Sequence, residues 1–119
     1  CPFCAPSVTA LAANTHALAI SDKYPVSLGH CLVIPKVHEP DIFQLPEEVY
    51  LGCLGLVRVV KALLDKQYHP AGFNIGINSG KVAGQTIFHA HIHVIPRYMG
   101  DVPDPTGGVR NVIPGKGTY

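Results

Sequence analysis

Charge is what this sequence has least of. Asp, Glu, Lys and Arg make up 14% of its 119 residues, against about 25% in an ordinary soluble domain. The formal net charge is +1 with histidine neutral. That excludes a charged disordered tail and gives no sign of a nucleic-acid-binding face. Long hydrophobic runs are missing too. The longest apolar-plus-glycine stretch, 49–57, stops at Arg58, far short of the roughly 20 residues a membrane span needs. There is no internal repeat and no low-complexity block. The chain does not begin with Met, and its first residues show no charged segment leading into an apolar one. The expectation is a cytoplasmic protein with neither a membrane nor a nucleic acid as partner.

Against these absences stand two surpluses. Apolar residues reach 47%, in a chain long enough for one domain but not for two. A domain of this size buries roughly two-thirds of its unfolded surface, so the apolar excess points to a partner subunit. Histidine is the second surplus, with 7 against 9 Lys plus Arg. Imidazole-rich, charge-poor chains handle protons, metals or phosphate near neutral pH. Of the four cysteines, Cys31 and Cys53 sit in apolar runs and read as buried thiols.

The pattern along the chain predicts an α+β protein. Strands are expected over 14–21 and 30–35, with Pro25 and Gly29 punctuating the turn between them. A long helix is expected over 45–68, with Pro46 at its first position and Glu47 and Glu48 suiting its dipole. Apolar residues recur at Val49, Cys53, Leu56, Val57, Val60, Leu63 and Leu64. Leu54 and Val59 widen that stripe towards a second buried face. Further strands are expected over 73–78 and 86–96, joined too closely for a parallel crossover. The segment 100–119 is rich in proline and glycine and should run extended over the surface. A phosphate-loop reading of 76–81 fails, because three residues separate its glycines and Val82 follows Lys81 where Ser or Thr is required.

The informative run is Phe88-His89-Ala90-His91-Ile92-His93-Val94. In a strand, alternate side chains share a face. His89, His91 and His93 then face one way, and Ala90, Ile92 and Val94 pack inward. Such a face could be merely solvated. It could hold Zn²⁺ through two of its imidazoles, or attack phosphorus with one of them. Spacing alone does not choose. Cys1-Pro2-Phe3-Cys4 is similarly open, as a redox dithiol, half of a zinc site, or two reduced thiols. His16, His30 and His69 read as structural, His69 at a helix end and His30 satisfying a backbone group where a strand begins.

The segment from Gln85 to Arg97 closely resembles the signature of the histidine-triad (HIT) nucleotide-binding family. The likeness extends upstream through Asp22-Lys23-Tyr24-Pro25, the run Gly29 to Lys36, His38, and Asn78. It covers residues 1–98, leaving 99–119 as a tail against the domain or a partner subunit. That tail resembles a bacterial, hydrolase-like branch of the family. The resemblance implies a five-stranded antiparallel sheet with one long helix, assembled as a homodimer. His91 would attack the α-phosphorus of an AMP- or GMP-containing substrate to form a nucleotidyl-histidine, splitting one displacement into two. His93 would hydrogen-bond the phosphate or the bridging oxygen. Asn78, Gln85 and Thr86 would donate to phosphate oxygens, and Asp22 would accept from the ribose hydroxyls. Leu18, Ile20 and Leu32 would floor the base pocket. The expected substrate is a dinucleoside polyphosphate, then a purine-nucleoside phosphoramidate. A binding module with negligible turnover is the alternative, and a zinc enzyme using His91 and His93 is a third reading. Related bacterial proteins hold a structural zinc, which here would take Cys1, Cys4, His38 and His89. No catalytic metal is expected in the triad. A nucleophilic His91 must be neutral, so the rate should fall on the acid side.

Overall fold

The computed structural model describes residues 1–119. Its sheet contains β1 (Ala12–Ala13), β2 (Ala17–Ser21), β3 (Cys31–Pro35), β4 (Gly72–Gly76) and β5 (Ile92–Arg97), with α1 (Glu47–Tyr68) between β3 and β4. The order across the sheet is β1-β2-β3-β5-β4, and every pairing is antiparallel. This is the expected five-stranded α+β architecture.

The helix buries Val49, Cys53, Leu56, Val60 and Leu64, spaced three and four apart as one helical face requires. They meet Ala17, Ala19, Cys31, Val33, Ala90, Ile92 and Val94 from the sheet in a 14-residue core. Helix α1 starts two residues later than predicted. Pro46 lies outside it as the cap, and its carbonyl accepts from the Val49 and Tyr50 N–H groups. It stops at His69, which turns left-handed at φ 51° and donates its N–H to Asp65 O.

Three predicted strands were drawn too long, the one over 73–78 ending already at Gly76. Residues 14–16 form a turn rather than strand, because Asn14 Oδ1 accepts from the His16 and Ala17 N–H groups. That turn releases β1 as a separate edge strand. The last strand begins at Ile92, not at Thr86, so His89 and His91 precede it. The alternation survives the correction. Ala90, Ile92 and Val94 lie in the helix-side core, and the histidines point the other way.

On that other face a smaller apolar cluster gathers Phe3, Ile20, Leu32 and Ile34, with Leu18 and Ile87 against it. The registers Ile20↔Leu32 and Leu32↔His93 place His93 in the same row as this cluster. The tail folds back over the domain as a short 3-10 turn, Gly108–Val112, close to β4.

Candidate active site

His91 is 7% exposed. Its ring nitrogen Nδ1 lies 2.8 Å from the carbonyl oxygen of His89. A carbonyl can only accept, so Nδ1 carries a proton and, in the neutral ring, Nε2 keeps its lone pair. The chain thus fixes the imidazole tautomer that a nucleophile needs. Phe3 and His93 stand edge-on to the ring, with centroids 5.2 Å away at 73° and 69°.

His93 belongs to a hydrogen-bonded chain. The Val26 N–H donates to His30 Nδ1 over 3.1 Å. The proton of a neutral His30 therefore sits on Nε2, which is 2.9 Å from His93 Nδ1. His93 accepts there and carries its own proton on Nε2. Asp22 Oδ2 lies 3.4 Å from His30 Nε2 and 3.9 Å from His93 Nδ1. Burial lowers the pKa of both imidazoles, against the opposing charge of Asp22. Both shifts favour the neutral ring near pH 7, so Asp22 is not an ion-pair partner to them; its Oδ2 lies on the His30 Nε2–H side of the pair. Its other oxygen, Oδ1, accepts from the Tyr24 N–H and shapes the turn.

The other predicted residues divide. Asn78 is half-buried and Thr86 exposed. The β4–β5 register pairs Gly76 with His93; two residues further along, it would set Asn78 opposite His91, and opposite residues share a face. Gln85 is 5% exposed and its amide is spent within the protein. Oε1 accepts from the Gly80 N–H, and Nε2 donates to the carbonyls of Pro40 and Ile87. It fastens the glycine loop to the 36–40 segment and would have to release a bond to reach phosphate. Leu18, Ile20 and Leu32 line the histidine face.

Beside His91 lies a thiol–imidazole cluster. The ligand atoms of Cys1, Cys4, His38 and His89 all fall within 4.8 Å of one another. Cys4 Sγ is 3.2 Å from His38 Nδ1 and 3.7 Å from His89 Nδ1, and Cys1 Sγ is 3.5 Å from His89 Nδ1. Bond lengths of about 2.3 Å to sulfur and 2.0–2.1 Å to nitrogen put the S···N edges of a tetrahedral zinc site at about 3.5 Å. His89 Nε2 donates to Pro35 O over 2.8 Å, which leaves Nδ1 open towards the thiols. The donor set, spacing and tautomer all fit a structural Cys₂His₂ zinc site.

Two participants were not foreseen. His30 does satisfy a backbone group, as expected, but it also holds His93. Its long-range partner has no local signal, although a register placing Asp22 opposite His30 would have offered one. Phe3 carries no role of its own in the sequence reading.

A HIT domain match covers residues 7–100. With the sheet, the helix and the histidine face in place, the chain belongs to the HIT family. Over 85 residues it is 40% identical to a HIT-like protein of Mycoplasma pneumoniae, a stretch that is 71% of this chain and 59% of that protein. It is 41% identical over 80 residues to an adenylylsulfatase of Arabidopsis thaliana, covering 67% of this chain and 41% of the relative. With an adenosine 5'-monophosphoramidase of Schizosaccharomyces pombe the figures are 37% over 87 residues, 73% and 62%. The chain thus spans about three-fifths or less of these relatives. A zinc-bound histidine triad protein of Mycobacterium smegmatis superposes with a TM-score of 0.76 at 37% identity, covering 87% of this chain and 84% of that one.

Proposed function

We propose that this protein cleaves nucleotide derivatives at the α-phosphate through a nucleotidyl-His91 intermediate. The observation that carries this reading is the His91 tautomer, with Nδ1–H held by the His89 carbonyl and Nε2 free. Nε2 attacks the α-phosphorus, and the N–P bond forms as the bond to the leaving group breaks. Water then attacks the same phosphorus, the N–P bond breaks, and a nucleoside monophosphate leaves. His93 donates a hydrogen bond from Nε2 to the phosphate or bridging oxygen. Asn78 and Thr86 donate to phosphate oxygens, and Asp22 accepts from ribose. Gln85 serves by building the loop that carries them. Relatives named as an adenylylsulfatase and a monophosphoramidase support adenine nucleotides as the class. A dinucleoside polyphosphate is the first substrate to try, and a phosphoramidate the second.

A catalytic metal on His91 and His93 fits the hydrogen bonding poorly, since His93 Nδ1 already accepts from His30 and its Nε2 bears the proton. Zinc belongs at Cys1, Cys4, His38 and His89, where it would tie the N-terminus to the catalytic segment. Reduced thiols suit a cytoplasmic setting. Leu51, Leu54, Val59 and Leu63 on the outer side of α1 are 40–56% exposed, and with the edge strand β4 they supply a face for a second copy. A monomer in sedimentation at micromolar concentration would remove the dimer from this reading.

The deciding experiment is acid-quenched mass spectrometry with a diadenosine polyphosphate. A nucleotidyl adduct should form on the wild type and be absent from His91→Asn, whose turnover should fall by about three orders of magnitude or more. Full turnover in that variant overturns the mechanism. Tight monophosphate binding with no adduct on the wild type would mark a binding module.

A further inference from the structure

Phe3 has no part in the chemistry proposed above, yet it is the side chain that joins the thiol–imidazole cluster to His91. It is 9% exposed and sits in the apolar cluster with Ile20, Leu32 and Ile34. Its ring stands edge-on to His89 at 6.0 Å and 85°, and to His91 at 5.2 Å and 73°. The residues on either side of its two-residue span explain how it comes to be there. Cys4 N–H bonds Cys1 O in a tight turn. Cys1 meets His89 and Cys4 meets both His38 and His89. With the thiols directed at those imidazoles, Phe3 is directed inward.

One hydrogen bond, His91 Nδ1–H to His89 O, leaves the imidazole free to rock about it. The ring is confined because Phe3 and His93 stand on it edge-on. Two of these three supports, the His89 carbonyl and the Phe3 edge, come from residues at or between the cluster's ligands. We propose that Phe3 is the positioning residue of the nucleophile, and that the Cys1–Cys4–His38–His89 cluster acts on the chemical step by holding Phe3 against His91. The inference rests on His91 being the nucleophile. It goes beyond that reading by giving the cluster a function other than stability.

Three measurements test it together. Phe3→Ala and the volume-keeping Phe3→Leu are made alongside Cys4→Ser and the double variant Cys4→Ser/Phe3→Ala. The imidazole nitrogen and carbon resonances of His91 are followed by NMR in zinc-loaded, nucleotide-free protein. Both Phe3 variants should shift or broaden them, whether or not His91 proves to be a nucleophile. Single-turnover adduct formation at saturating diadenosine polyphosphate should fall about tenfold in Phe3→Ala, the cost of a modest misplacement of a reacting group. Affinity for AMP should hardly change. The double variant should be no slower than the slower single one, because residues acting along one path are not additive. Unchanged His91 resonances in folded Phe3→Leu and Phe3→Ala would overturn the proposal. So would a loss confined to AMP affinity, which would make Phe3 a wall of the nucleotide pocket, or fully additive losses in the double variant. If the resonances move but no adduct forms even on the wild type, the nucleophile assignment fails and the Phe3 contact stands.

Discussion

Two clusters of titratable side chains flank His91, and they are built from similar parts. One combines His89 and His38 with two thiols, the other His30 and His93 with Asp22, and each brings its ligand-type atoms within 4.8 Å of one another. Composition does not separate them as metal sites; the backbone does. In the first, a carbonyl, Pro35 O, accepts a hydrogen bond from the far His89 nitrogen, which keeps the proton there and leaves the lone pair of the near one free. In the second, an amide N–H, that of Val26, occupies the far His30 nitrogen and forces the proton onto the near one. A metal would have to displace that proton and leave an imidazolate. The group bonded to the remote nitrogen fixes the tautomer, and the tautomer leaves one cluster fit to take a metal and makes the other a hydrogen-bond chain.

The largest effect should come from breaking the first cluster. Purified under reducing conditions with added zinc, the wild type should carry one zinc per chain by mass spectrometry of the metal. Cys4→Ser should lose it, and His30→Ala should keep it. Zinc at a hundredfold excess over its Kd adds about 2.7 kcal/mol to the folded state, so the thermal midpoint should fall on chelation in the wild type and not in Cys4→Ser. Zinc lost from His30→Ala as readily as from Cys4→Ser would erase the distinction between the clusters. A free thiol pair should also be told from a buried one by alkylation. Burial pushes Cys31 and Cys53 up to about 11, so only Cys1 and Cys4 should react in native metal-free protein at pH 8.

A smaller effect should come from the second cluster. His30→Ala should cost roughly ten- to a hundredfold in kcat, the usual penalty for losing the partner that orients a functional imidazole, with zinc content unchanged. The sign of its pH effect is also fixed. His30 is one of the charges lowering the His93 pKa, so its removal lets His93 protonate at higher pH. The His93 ring resonances should then titrate at higher pH than in the wild type. Unmoved resonances would show that His93 does not feel His30.

The same contrast explains what could be read from the sequence. The helix, β3 and β5 were legible because each carries its own pattern, an apolar stripe in α1 and near-continuous apolar runs at 31–35 and 92–96. The separation of inward Ala90, Ile92 and Val94 from outward histidines was legible too, since extended backbone alternates whether or not it is paired. The start of β5 was not. After Pro35 the chain leaves β3, and the 36–40 segment takes over, its Glu39 carbonyl receiving the Ala90 N–H. No local residue announces that exchange. The turn at 14–16 depended on one Asn side chain folding back on its own backbone, a competition that strand patterning does not weigh. The thiol–imidazole residues could be named from the family resemblance, but the roles of His30 and Phe3 depend on contacts across the sheet.

The smallest expected effect is on stability, and its direction tests whether the His30–His93 chain is neutral. Asp22 and His93 face His30, and burial outweighs the Asp22 charge, so the folded pKa of His30 lies below its ordinary value. The unfolded chain, with a histidine pKa near 6.5, then binds a proton more readily. The His30 contribution is complete above about pH 6.5 and is lost as the pH falls from there towards the folded pKa. The slope cannot exceed about 1.4 kcal/mol per pH unit for one group. Urea midpoints between pH 7.5 and 5 should therefore fall more steeply for the wild type than for His30→Asn, both loaded with zinc so that the thiol cluster contributes equally to each. A steeper fall in the variant would mean that His30 is charged in the folded protein and paired with Asp22. The proton placement that separates the two clusters would then be wrong.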